Sequence, residues 1–244
     1  MKSRTFFFVG IFLTINNVLH SQFLPSLAIA GGPFAGWHFN NTDELNAELK
    51  KAGFPELSKG FFILGGGGFV DIPLKKENQF LRIGGMGVGF TSNKDLVVND
   101  SLTKAETYSF GFGGLSLDFV KSFHIFDITV GFLLGTGTLQ LDMYQYGRGY
   151  GNSSTIFGEF ANNSSTPNIT RNFSLRFYSA QPQVGFGVLL RKFVYMKFNA
   201  GYLFAIKGKW KVDNDVEVKN FPEGVSPKGF NINLGLNFGI FFRD

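Results

Sequence analysis

The sequence predicts an all-β fold, an up-and-down antiparallel barrel of about eight strands that crosses a membrane, on three observations. Apolar residues recur at every second position in long runs, the period of a strand with two unlike faces. The connections between those runs alternate short and long. The chain of 244 residues holds 32 glycines and 32 phenylalanines, against a usual glycine share of roughly 7%. Glycine lets strands bend and leaves room in a narrow lumen, and aromatic side chains face lipid and form girdles at its borders.

The alternation is clearest at the C-terminus. Phe230, Ile232, Leu234, Leu236, Phe238, Ile240 and Phe242 occupy every second position, with Asn231, Asn233, Gly235, Asn237 and Gly239 between them. In a soluble barrel the apolar face points inward, and in a membrane barrel it points outward, so this strand alone is compatible with both. The remaining strands are read at about Leu27 to His38, Phe61 to Val70, Phe80 to Phe90, Tyr108 to Val120, Ile125 to Leu141, Phe173 to Leu190 and Val194 to Trp210. Several exceed ten residues, longer than the usual five or six and suited to a tilted span.

Three strands change phase midway, at Gly113-Gly114, at Gly135-Thr136-Gly137 and around Gln181-Pro182-Gln183. A one-residue phase change calls for a bulge, where Gly or Pro is expected. The alternative is two shorter strands in each place.

The connections set the topology. Residues 39 to 60, Ser92 to Lys104, Met143 to Asn172 and Lys211 to Lys228 read as the longer loops. Pro73 to Asn78, Lys121 to His124 and Arg191-Lys192 read as tight turns. Membrane barrels have short turns on one side and longer loops on the other, whereas a soluble barrel has no reason to sort loop lengths by end. The third loop leaves room for ten strands if Ser153 to Phe160 pairs within it. The first loop contains a short helix, opened at Thr42 and Glu44 and ended by Gly53 before Pro55, with Leu45, Leu49 and Ala52 on one face. It is expected to cover the barrel mouth, with contact to membrane or a partner as the alternative.

The first residues read as an export leader, residues 1–21, ahead of a barrel at 22–244. Lys2 and Arg4 precede a short apolar run from Thr5 to Ile15, too short to anchor, and Ser21 offers a small residue for cleavage. Removing the leader takes the net charge from +5 to +3, because Lys2 and Arg4 leave with it. That charge is too small to point to nucleic acid. The absence of cysteine excludes disulfides and thiolate metal sites, and mean hydropathy of +0.07 with no long apolar run disfavours helical spans.

With this pattern and a terminal strand ending in Phe241-Phe242, the mature chain resembles the small eight-stranded outer-membrane barrels of the OmpA/OmpX type. The resemblance implies a bacterial outer-membrane location and contact with outer-membrane lipid. It also implies engagement of the barrel-assembly machinery through the C-terminal strand, although here Arg243 and Asp244 follow the aromatic. Basic turn residues Lys75, Lys76, Lys121, Arg191 and Lys192 suit an anionic leaflet, at about 1 kcal/mol each.

Arg176, Lys197, Lys207, Lys209, Asp118 and Asp127 fall on polar faces and are the lumen-facing candidates, expected to fill the interior with ion pairs. An eight-stranded lumen has room for side chains or one small ligand. No cofactor or metal site is expected. Some barrels of this class modify lipids with a His, a Ser and an acid at the rim. Here His38 with Asp43 or Ser92 is the nearest match, and His124 lies at the other end. Gly65-Gly66-Gly67-Gly68 lacks the Lys-Ser/Thr of a phosphate loop and reads as a strand facing a crowded lumen. The third loop, rich in Tyr, Gly, Asn and Ser, offers adaptable contact chemistry for a surface ligand. The function expected is a non-enzymatic envelope protein with a structural or surface-contact role, with a narrow channel or carrier and a rim lipid-modifying enzyme as alternatives.

Overall fold

A computed structural model describes residues 27–99, 102–147, 151, 158, 168–213 and 215–242. The leader at 1–21, the Ser153 to Phe160 segment apart from Gly158, most of the Met143 to Asn172 loop and the terminal Arg243-Asp244 lie outside the described residues.

Among the described residues, eight long strands form one antiparallel ring: β1 (Ala28–Asn40), β2 (Gly60–Pro73), β3 (Gln79–Asn99), β4 (Leu102–Phe123), β5 (Phe126–Gly147), β6 (Ile169–Arg191), β7 (Val194–Val212) and β9 (Gly229–Phe241). A two-residue β8 (Val216–Glu217) adds to β7. Each long strand pairs with its neighbour in sequence, β7 pairs with β9, and β9 closes the ring on β1. Closure leaves no sheet edge around the ring where all strands run together, which is how a barrel satisfies its backbone.

The end carrying the short turns is called lower. There Asn78 and His124 adopt positive φ of 58° and 59°, the left-handed conformation that tight hairpin turns require. At the upper end lie α1 (Asp43–Lys51) and the connection from β7 to β9. The segment Ser92 to Lys104 is not a loop. β3 runs on to Asn99 and β4 starts at Leu102, so only residues 100 and 101 connect them. β5 likewise continues to Gly147, and β6 begins at Ile169.

The three apparent phase changes are not bulges. β4 and β5 pair without a register shift from Leu102↔Gly147 to Phe123↔Phe126, and β5 and β6 pair unbroken past Gln181 to Gln183. What changes is the chemistry of the faces. On β4, Tyr108, Phe110, Phe112, Asp118, Val120 and Ser122 all point inward and are buried, while Leu115, Leu117, Phe119 and Phe123 point outward and are exposed. Above Gly114 the outward residues are Gly113, Gly111, Ser109 and Thr107. β5 repeats the switch, with Val130, Phe132 and Leu134 outward below and Thr136, Thr138 and Gln140 outward above. β6 does so with Val184 and Phe186 below and Ser174 and Arg176 above.

The barrel therefore has two tiers. In the lower tier the outer surface is apolar and the interior polar. In the upper tier, built by the extended halves of β3 to β6, the outer surface is polar and the interior apolar. The lower outward stretches, Leu115 to Phe123 and Phe126 to Leu134, are each about nine residues, the length of a tilted strand across hydrocarbon. Exposed aromatics border this belt. Phe123, Phe126, Phe186, Phe193 and Phe242 lie below, and Trp37, Phe39, Phe62, Tyr202 and Phe230 above.

The upper interior is a core like that of a soluble protein. Phe61, Phe110, Phe112, Phe177, Leu139, Leu141 and Leu175 pack there with Trp210. Phe61 stacks on Phe90 at 4.3 Å between centroids, a pair worth about 0.5–1.5 kcal/mol beyond its area. Helix α1 caps this core by burying Leu45 and Leu49, and Leu57 follows them in. Ala52, expected on the same face, is exposed. Thr42 makes no side-chain cap bond. The Asn41 side chain instead accepts from the Asp43 N–H at 2.9 Å. Gly53 ends the helix at φ 72°, and the Phe54 N–H reaches back to the Leu49 carbonyl at 2.8 Å, a common helix stop.

Candidate functional site in the barrel interior

The lower interior is built from inward positions flanked by lipid-type residues. Leu81 and Ile83 face outward around Arg82, and Val70 and Ile72 around Asp71. Period-two geometry then forces the charged side chains into the lumen. Arg82 and Asp71 are cross-strand partners, and both are fully buried.

Arg82 organises the lowest layer. Its Nε donates to Asp71 Oδ1 at 2.6 Å and its Nη2 to Asp71 Oδ2 at 2.8 Å, the planar two-bond match between guanidinium and carboxylate. Nη2 also lies 3.6 Å from Asp127 Oδ2. Nη1 donates to the Tyr195 hydroxyl at 3.2 Å. The guanidinium carbon sits 3.8 Å from the centroid of the Phe69 ring, a cation–π contact. Four strands, β2, β3, β5 and β7, meet on this one side chain.

A second layer lies above. Asp118 Oδ1 accepts from Gln183 Nε2 at 2.8 Å, and Oδ2 lies 3.5 Å from Lys197 Nζ. A third layer follows. Asn231 Nδ2 donates to Gln181 Oε1 at 2.6 Å, and His38 Nδ1 lies 2.7 Å from Asn231 Oδ1. The His38 ring stacks on Phe110 at 4.7 Å, nearly parallel at 6°. This imidazole therefore joins the polar lumen to the apolar core. The remaining cavity is about 60 Å³, lined by Lys197, Gln183, Asn199, Asn233 and Ser116 among others, space for a few waters.

Of the lumen candidates, Asp118, Asp127, Lys197 and Lys207 point inward. Asp118 and Lys197 meet each other, while Asp127 meets Arg82 and Tyr195. Lys207 sits apart in the upper tier, where it donates to the carbonyls of Glu223 and Val225. Arg176 does not face the lumen. It is exposed between the buried Leu175 and Phe177, because the upper tier reverses the polarity of the faces. Lys209 is also outside, paired with Glu217 at 2.7 Å, since the register of β7 shifts between Lys207 and Trp210.

Asp71, Arg82, Gln183 and Tyr195 were missed from the sequence, although Leu81-Arg82-Ile83 carries the signal, an ion between two outward apolar neighbours. The glycine run divides its faces. Gly65 and Gly67 point inward, and a Cβ on Gly65 would lie 2.5 Å from the Phe34 ring. Gly66 and Gly68 are exposed on the outer surface.

The structure does not place His38 at an open rim. His38 is fully buried within the interior. Asp43 instead pairs with Lys59 at 2.8 Å. His124 occupies the lower turn. Among the described residues, no cluster of His, Cys, Asp and Glu fits a metal ion.

No protein-family model matches the chain, and no curated protein matches its sequence. Solved structures resemble it in shape. Ail, the attachment invasion locus protein of Yersinia pestis, in complex with the heparin analogue sucrose octasulfate, aligns at 12% identity and a TM-score of 0.38, over 87% of this chain and 98% of its own. A major outer membrane protein from Thermus thermophilus aligns at 8% identity and a TM-score of 0.48, over 88% and 99%. The outer membrane protease OmpT from Escherichia coli aligns at 9% identity and a TM-score of 0.21, over 90% and 97%. At these scores no ligand, activity or residue role transfers to this chain.

Proposed function

We propose that the protein is an outer-membrane barrel, held in lipid by its lower tier, whose upper tier projects from the cell surface as a non-catalytic contact platform. One observation carries this reading. Along β4, β5 and β6 the outward face turns from apolar to polar with no break in register, which matches strands that leave hydrocarbon and enter water. A leader at 1–21 would bring the chain to the membrane. The short basic turns would then lie in the periplasm, beside the inner leaflet. The outward face of β9, ending on the exposed Phe242, would meet the assembly machinery, and the Met143 to Asn172 connection would offer a surface ligand its contacts.

A conducting role is disfavoured by the apolar core that fills the upper interior and by the small lumen cavity. Planar-bilayer recordings of the refolded protein are expected to show no steady conductance, and a stable ohmic step would favour the channel reading. The location itself is tested by migration in detergent gels. A folded barrel shifts on boiling. A protein that is soluble without detergent and shows no shift would overturn the membrane reading. The absence of cysteine gives a second check: in intact cells an impermeant thiol reagent should label Asp95→Cys and spare Lys75→Cys.

A further inference from the structure

One buried carboxyl group in the upper tier lacks a hydrogen-bond partner among the described residues. Glu106 of β4 points inward under the cap and is 1% exposed. Among the described residues, neither of its oxygens has a hydrogen-bond partner. Directly across the ladder on β3 stands Lys94, and on β5 the uncharged Met143. Two residues along the same face, the Tyr108 hydroxyl accepts from the Asn40 side-chain amide at 3.1 Å.

The lysines flanking Glu106 are engaged elsewhere. Lys94 Nζ donates to the Glu56 carbonyl. Lys104 Nζ donates to the Ala52 carbonyl and lies 5.3 Å from the centroid of the Phe54 ring. Both tethers hold residues 52–56, the link between α1 and β2. The remaining charges of the cap nearby are outward and paired, Lys50 with Glu56 at 3.7 Å and Lys51 with Glu48 at 2.7 Å. Lys94 thus stands between two acceptors, a neutral carbonyl on the cap and a carboxyl across the strand pair. The Lys94 ammonium makes a charge-assisted bond to either acceptor, and an ionised carboxylate adds an attraction between opposite charges that the neutral carbonyl lacks.

We propose that Glu106 is a proton-controlled latch for the cap: neutral, it leaves Lys94 on the Glu56 carbonyl, and ionised, it draws Lys94 across to itself and frees the link at residues 52–56. The proton goes to solvent, the Lys94 hydrogen bond moves from the Glu56 carbonyl to the carboxylate, and no covalent bond other than the O–H changes. Glu106 lies above the apolar belt, where burial pushes its carboxyl up to about 7 against the opposing pull of Lys94. The latch therefore turns in the neutral range. An ionised carboxylate sealed under the cap also favours hydration, so both effects open it in the same direction.

The test uses the full chain refolded in lipid. With no native cysteine, Ala47→Cys on the exposed side of α1 carries a single nitroxide label. Its mobility, read by electron paramagnetic resonance from about pH 5.5 to about pH 8.5, should rise severalfold with a midpoint near neutrality. Glu106→Gln should keep the label ordered throughout. Lys94→Gln, which removes the tether, should leave it mobile at every pH. Boiling shifts confirm that each variant is folded. A label indifferent to pH in the native background, or the same titration in Glu106→Gln, overturns the latch. So does a Lys94→Gln label as ordered as the native one at low pH.

Discussion

Val130 and Gln140 lie on the same outward face of β5, yet they meet different surroundings. Around Val130 the outer surface is apolar and the interior behind it holds Asp127, Asp118, Arg82 and Lys197. Around Gln140 the outer surface is polar and the interior behind it holds Leu139, Leu141 and Phe177. One strand, with one unbroken register, serves both arrangements. The difference teaches that burial in this protein is set by height along the barrel as well as by face. In the upper tier the hydrophobic effect drives side chains inward. In the lower tier the interior must be held by polar complementarity, because apolar side chains gain nothing by leaving lipid.

Each tier can be broken by the substitution that the other would tolerate. The largest effect is expected from Arg82→Met, which leaves Asp71 and Asp127 buried beside an apolar side chain. Breaking such a group by removing one partner costs about 3–5 kcal/mol, measurable as a lower urea midpoint for the boiling shift. Next comes Val130→Arg at the centre of the apolar stretch of β5, expected to cost about 2–4 kcal/mol. Gln140→Arg, ten residues along the same face, should stay within about 0.5 kcal/mol. Equal costs for the two arginines would erase the boundary between the tiers.

The smallest effect concerns pH. The Glu106 carboxyl is raised from 4.5 to about 7 in the folded chain. Folding then favours its protonated form. The stabilisation is complete below about pH 4.5 and is lost as pH rises through about 7. Stability should therefore drift down over that window, and Glu106→Gln should flatten this part of the drift in urea titrations at several pH values.

Much of the ring was legible because alternation and turn residues report local geometry. The tight turns at Asn78 and His124, the helix stop at Gly53 and the outward face of β9 all follow from neighbours in sequence. The upper halves of β3 and β4 were not legible. Asn93, Lys94 and Asp95 show no apolar period, and their strand state comes from pairing with Glu106 and Thr107 across the hairpin. The same limit explains Arg176. Its neighbours Leu175 and Phe177 are apolar, and in the lower tier that pattern would send arginine inward. Above the belt it sends arginine out. Arg82 sits in the same local pattern, Leu81-Arg82-Ile83, and points inward. Height above the belt separates the two, and a short window of sequence carries no record of height.

The closing pair of strands also governs time. Ala28 meets Phe241 across the seam, so the ring shuts only when its first and last strands find each other. Contacts so distant in sequence are slow to form. The Arg82 layer draws on β2, β3, β5 and β7, so its charges become sealed from water only late in that search. An unshut sheet would carry them on an open face, and the step that joins β9 to β1 should be the one that commits the chain to its final state.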